Sequence, residues 1–488
     1  MKYLLPAFLA LTLVACSVGP DYTRPESAVP EEYAQADSTM LLDTTAIAVA
    51  DTGWWQLFGD TVLTGLIHTA LQENNDVRVA AARVEEFMGL YGVTKSDFFP
   101  KIDAGALGTR GQSALIDVGD GETRPTNSRF EVNVSAWWEI DLWGKVRRAT
   151  EAAKAELLAS EEARRGVVLS VTALVANSYI DLLELDKELL IAQATAQSRQ
   201  RSLKLFQERK GKGDVSELEL SQIESQYWLA MARIPAIEQR IVQTENAISV
   251  LLGRNPGTIP RGRVLDSLAL PGVPEGLPSA LLERRPDVRG AEEQLRAANA
   301  RIGVAKSYYF PSISLTGLLG VASGALENLF KGNSQLWRVT GSIFQPIFHW
   351  GEISGQVDAA EAVQKQALYG YVNTVQRAFA DAENILSERS RTEQQRDAEW
   401  NQVKALRTYE RLARMRYVEG VTSYLEVLDA ERALFDTELA YSQTQARLSK
   451  SVVGIYRAFA GGWLDWASAK SVMPEDPVER REPEDAKN

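Results

Sequence analysis

The 488-residue chain has one cysteine and two histidines, and both scarcities exclude chemistry. Cys16 has no partner for an intrachain disulfide. His68 and His349 stand far apart without metal-ligand or triad spacing, and no GxSxG, Walker or GxGxxG string occurs. No enzymatic activity, catalytic residue, metal or cofactor is expected. DVGDGE at 117–122 approaches a calcium loop, but Gly119 stands where a ligand is needed, so it reads as an external loop. A basic excess is missing too. Lys and Arg number 53 against 65 Asp and Glu, a net charge of −12, the wrong sign for nucleic acid. No internal run is apolar for 18 residues, so no helical membrane span is expected. From about 145 to 210 there is no proline and almost no glycine.

The position of the one cysteine is informative. Lys2 followed by the apolar stretch Leu4 to Val14 reads as a secretory signal peptide over 1–15. LVAC then fits a bacterial lipobox, in which Cys16 becomes the lipidated first residue. Ser17 stands where an inner-membrane retention signal would carry Asp, which favours the outer membrane. Such acyl chains anchor a protein to one leaflet without spanning it. Residues 16–58 read as an extended lead-in closed by GWWQLFGD.

What the chain has in quantity is long periodicity. Residues 61–97 carry Leu63, Leu66, Ile67, Leu71, Val77, Ala81 and Val84 at the spacing of one helix. From Phe130 to Leu142 apolar and polar residues alternate with Trp137 the single exception, a strand of about 43 Å that can cross a bilayer when tilted. Strands are expected at about 101–111 and 129–142; these two segments alone suit a soluble hairpin equally well. A helix from 145 carries Val168, Val171, Val175, Leu182, Leu185 and Leu189 on seven-residue spacing and is roughly 100 Å long. After a turn at 211–214 a second helix returns to about Leu252, with Pro235 expected to kink it. A linker rich in Pro and Gly covers 258–278. The same order then recurs, with strands at about 312–322 and 335–347 and a helical hairpin at about 352–460. Trp350 and Gly351 answer Trp143 and Gly144, and Gly420, Ser423, Leu425 and Glu426 answer Gly213, Ser216, Leu218 and Glu219, each 207 residues later. Two tandem repeats, 59–257 and 279–463, follow, with 464–488 a charged tail of disordered composition.

Four membrane-type strands cannot close a barrel, and open edges cannot face lipid. Two chains would give eight strands around a filled interior, three would give twelve around an open lumen. At this point the strings WWQLFGD, LPSALLERRPDVRGAEEQL, ANARIGVAKSYYFPSISLTGLLG, GVTSYLEVLDAERALF and IYRAFAGGW, in that order, resemble the TolC/OprM-type outer-membrane efflux lipoproteins. The resemblance implies a mainly α fold with transmembrane β: a homotrimer with a 12-stranded β-barrel, continued by a long periplasmic α-helical barrel with a mixed equatorial belt. It implies the outer membrane of a Gram-negative bacterium, with outer-membrane lipid, a periplasmic adaptor (membrane fusion) protein and an inner-membrane RND-type pump as partners. The expected activity is passive export of drugs or other small molecules. Heavy-metal export, type I secretion and a non-conducting structural lipoprotein remain open as alternatives.

The resemblance also implies a periplasmic gate. Asp429 in VLDAER falls at an aspartate-ring position and Leu425 at an apolar constriction, while Arg416 and Tyr417 match positions whose polar links hold neighbouring helices closed. Gln222 stands opposite Asp429 in the first copy, so one hairpin of each pair carries the acid. The turns, with Gly213, Val215 and Ser216 in one and Gly420, Val421, Thr422 and Ser423 in the other, are expected to meet the adaptor.

Overall fold

A computed structural model describes residues 17–25, 53–112, 126–270, 284–459 and 463–474. The signal segment, Cys16, most of the lead-in, the 117–122 loop and residues 475–488 lie outside the described residues. Besides short 3-10 turns, the elements are α1 (Thr61–Glu73), α2 (Asn75–Lys95), β1 (Lys101–Gln112), β2 (Thr126–Ile140), α3 (Lys145–Gly211), α4 (Glu217–Leu251), α5 (Pro286–Ser307), β3 (Ser312–Ser323), β4 (Gln335–Phe344), α6 (Glu352–Val418), α7 (Tyr424–Phe459) and α8 (Trp463–Lys470). The repeat is written into the backbone. Helices α3 and α6 both have 67 residues. Gly144 and Gly351 take φ of 81° and 87°, and Gly213 and Gly420 take 83° and 74°, so matched glycines make matched left-handed turns.

The chain divides into two compact units. The first draws on Met1–Glu26, Glu85–Ser160 and Ala291–Tyr371. Its sheet is antiparallel in the order β1-β2-β3-β4, with β1 and β4 as edges. Register aligns apolar rows across all four strands, such as Ala104–Val134–Leu319–Trp337 and Ile102–Ala136–Gly317–Val339. Alternate rows bring Asp103, Ser135 and Arg338, or Thr316 and Thr340, to the other face. On β4 the apolar row stays uncovered, with Trp337, Val339 and Ile343 exposed to 77%, 74% and 73%. Such a surface is what a bilayer covers. Two strands end sooner than their alternation suggests. β2 stops at Ile140 because the Asp141 carboxylate accepts from the amides of Val146 and Arg147 at 3.0 and 2.9 Å and so starts α3. β4 stops at Phe344, just before Pro346, which has no N–H for a ladder.

In the same unit residues 17–22 are fastened rather than loose. The Val18 amide donates to the Trp143 carbonyl at 3.0 Å, Asn299 Nδ2 to Pro20 O at 2.9 Å, and Arg148 pairs with Asp21 at 2.6 Å. Gly19 crosses Gly303 so closely that a Cβ there would lie 2.4 Å from the Gly303 Cα.

The second unit draws on Ser27–Val84, Glu161–Gly290 and Val372–Asn488. Its core gathers Trp54, Trp55 and Phe58 with α1, the middle of α3, the end of α7 and α8. Trp54 stacks on Tyr456 at 5.5 Å and Trp55 meets Trp463 edge-on at 5.8 Å. Three expectations change here. The 61–97 helix is two helices, because the Asn74 side chain caps α2 by accepting from Asp76 N at 2.9 Å and donates to Leu251 O at 2.8 Å. The linker is partly core, since Ile259, Leu265 and Leu268 are buried. The tail begins as α8, because Trp463, Leu464 and Ala467 find apolar partners in this core. Asp60 ties these parts together: it caps α1 through Val62 N at 2.8 Å and accepts from Tyr179 OH and Arg263 N, both at 2.9 Å.

Helix α3 also corrects the expectation that no helix is apolar enough to span a membrane. It contains an 18-residue window of mean hydropathy 1.6, long and apolar enough to cross one. More than half of that window, 56%, is buried within the protein, so its apolarity serves the core. Helix α4 runs through Pro235 without ending.

Candidate functional site at the two hairpin turns

The α3–α4 and α6–α7 turns lie in the second unit and share one core. Leu203, Phe206, Ile223, Ala413, Tyr424, Val427 and Ala430 are buried together, with Val215, Leu220, Tyr417 and Leu428 packed against them. Phe206 stacks with Tyr417 at 5.9 Å and meets Tyr424 at 4.5 Å; Tyr417 and Tyr424 are edge-to-face at 5.0 Å. Burial pushes the Tyr424 hydroxyl up to about 12, with the Glu431 charge adding to it.

The same residues do different work in the two copies. In the first turn, Ser216 and Glu219 form a capping box: the Glu219 amide donates to Ser216 Oγ at 3.2 Å, and Glu219 Oε2 accepts from the Ser216 amide at 2.9 Å. The bond from the Ser216 amide, and after it the one from the Ser216 hydroxyl, holds the Glu219 carboxyl below the usual range. In the second turn the matching Glu426 turns elsewhere. Its Oε1 accepts from Arg416 Nη1 at 3.0 Å and its Oε2 from Thr422 Oγ1. Gly420 N and Val421 N donate back to Tyr417 O and Arg416 O at 3.0 and 2.9 Å, closing α6.

Of the two expected polar links, Arg416 joins the two helices of its own hairpin. Tyr417 joins the hairpins: its hydroxyl accepts from Arg209 Nη1 of α3 at 2.8 Å, and the Arg209 guanidinium lies 5.7 Å from its ring. Leu425 is 62% exposed, and Asp429, one turn on, is exposed on the same face without an ion pair among the described residues. Gly213, Ser216, Gly420, Val421 and Ser423 are exposed, whereas Thr422 and Val215 are half-buried. Arg209, Glu426, Phe206 and Tyr424 escape the sequence reading. The signal for the first was present, since Arg209 precedes Arg416 by the same 207 residues. One step above the turns, Arg414 donates to Glu410 at 2.8 Å and pairs with Glu431 at 2.5 Å, yet burial raises the Glu431 carboxyl.

Duplicated membrane-type strands and duplicated long hairpins define an outer-membrane efflux channel. The chain belongs to the outer membrane efflux protein family, which matches residues 66–254 and 277–461, and these are channels rather than enzymes, set in the outer membrane of Gram-negative bacteria. It is 36% identical over 464 residues to the toluene efflux pump outer membrane protein TtgI of Pseudomonas putida, covering 94% of this chain and 98% of that protein. It is 33% identical over 467 residues to the cation efflux system protein CusC of Escherichia coli, again covering 94% and 98%. Among solved structures it resembles the Campylobacter jejuni CmeC outer membrane channel with a TM-score of 0.85 at 26% identity, covering 94% of this chain and 99% of that one.

Proposed function

We propose that the chain is the exit duct of a tripartite efflux pump, a homotrimer whose twelve strands close one barrel and whose helices continue it through the periplasm. The four-stranded sheet carries this reading. Among the described residues it has two unpaired edges and an uncovered apolar face; lipid tolerates no open edge, and three such sheets close around an open lumen. Cys16 carries the acyl anchor. A periplasmic adaptor meets both turns, and an inner-membrane RND-type pump supplies the energy, so passage through the duct is passive.

Three-fold symmetry turns Asp429 into a ring of three carboxylates and Leu425 into an apolar constriction one turn nearer the tip. The exposure of both side chains on one face supports this placing. The Arg209–Tyr417 and Arg416–Glu426 contacts hold the closed arrangement. Single-channel conductance in a planar bilayer tests it. The parent is expected to be nearly closed, and the Leu425→Ala, Asp429→Ala double variant to pass a large steady current. A wide-open parent would remove the gate from this site, and silence in both would remove the duct.

For cargo, drugs or other small organic molecules are the leading reading, supported by the relative named for toluene efflux. The cation efflux relative, nearly as similar, supports cation export as the second. Complementing a channel-deficient strain and challenging it with toluene or with a copper(I) salt separates them.

A further inference from the structure

The second unit contains a cleft of about 690 Å³ bounded by α3, α6 and α7. Its wall is amphiphilic. Leu190, Trp400, Phe435 and Tyr441 give it apolar surface, with the Trp400 and Tyr441 rings 5.2 Å apart. Most charges around it are paired: Arg407 with Glu438 at 2.7 Å, Arg414 with Glu410 and Glu431, and Lys187 with Asp266 at 2.5 Å.

Arg199 is different. It lines the cleft, is only 2% exposed, and lies 5.5 Å from the Phe435 ring centre. Its Nη1 donates to Gln226 O at 2.8 Å, but its Nε has no acceptor and no carboxylate pairs with it among the described residues. Glu431 and Asp436 act on it only from a distance, and burial pulls its pKa down. A buried charge without a counter-ion is costly, and proteins retain one chiefly where something else supplies the counter-charge.

We propose that this cleft binds anionic amphiphiles, with Arg199 holding a carboxylate or sulfonate head and Trp400, Tyr441 and Phe435 the apolar body. Charge complementarity selects the anion, and the aromatic wall selects a flat or elongated hydrophobic tail. An occupant would bridge the first hairpin, through α3, to the second, through α6 and α7. This binding is tested independently of conduction, because it is read without any current.

Calorimetric titration of the full-length protein in lipid nanodiscs with naphthalene-2-sulfonate tests this, with neutral 2-naphthol and empty nanodiscs as references. Saturable sulfonate binding is expected, with naphthol at least about tenfold weaker, a difference of one decade in Kd. Arg199→Met should weaken sulfonate binding by a similar factor, Arg199→Lys less, and Trp400→Leu should weaken both ligands. Because Arg199→Met removes an uncompensated buried charge, its ligand-free melting temperature should stay level or rise. Three results would each overturn the site: no binding beyond that of empty nanodiscs, full sulfonate affinity in Arg199→Met, or a clear fall in that variant's melting temperature, which would make Arg199 a structural support.

Discussion

Arg209 and Arg416 hold equivalent positions in the two copies, yet one reaches Tyr417 across the hairpins and the other reaches Glu426 within its own. The consequences of removing them should differ. Arg416 and Glu426 are part-exposed, and such pairs typically contribute about 0.2–1 kcal/mol. Arg416→Ala is therefore expected to raise single-channel conductance modestly and Arg209→Gln to raise it more, because Arg209, unlike Arg416, bonds α3 to α6. Tyr417→Phe should fall between, keeping the stack on Phe206 but losing the hydroxyl. Equal currents from all three would show that the hairpins are not held by this contact.

A second residue-scale effect concerns pH. Glu184 and Glu188 are buried one turn apart on α3, and Glu188 accepts from Arg240 at 2.9 Å and Gln443 at 2.8 Å, with the Lys450–Asp181 pair nearby. Burial first, then the bond and charge of Glu188, push Glu184 up to about 8. The fold thus retains a proton that the unfolded chain releases near its ordinary value, roughly 4.3. Its contribution to stability is complete below that value and is lost as pH rises toward 8. Glu184→Gln should melt higher than the parent at pH 8 and alongside it at pH 5. A difference of the same size at both pH values would exclude the proton as the cause.

At the scale of elements, the break at Asn74 illustrates what periodicity misses. The apolar spacing from Leu63 to Val84 runs through it unbroken, so only the cap, a contact of one side chain with two amides and a distant carbonyl, ends one helix and begins the next. Asn74→Ala should cost about 0.5–2 kcal/mol, read as a lowered melting temperature.

What was legible were features repeated along many residues: both hairpins, all four strands, and the glycine turns. Features resting on a few contacts between distant segments were not. The 258–278 stretch looks like a linker by composition, and only the packing of Ile259, Leu265 and Leu268 shows that its described part joins the core. The same holds at the turns. Leu425 and Asp429 could be named from resemblance, but the use of Glu426 by Arg416, where Glu219 serves a cap, depends on side-chain direction that no spacing records.

At the scale of the whole molecule, the exposed apolar row on β4 makes a directional demand. Val339→Arg places a charge on it and is expected to cost roughly 2–4 kcal/mol if the row lies near the bilayer centre. Thr340→Arg, one residue on and on the opposite face, should be tolerated. The check is the yield of heat-resistant oligomer in outer-membrane fractions; equal yields would mean that this row does not meet lipid.

The equal lengths of α3 and α6 also bind the two halves of the gene to one another. Because Phe206 and Ile223 from one hairpin share a core with Tyr424 and Val427 from the other, the helices act as paired rulers. Removing one heptad from each helix of a single hairpin would draw its tip out of that core, while removing the same heptads from both hairpins would restore the match. Lengths in this protein should therefore change in concert or not at all.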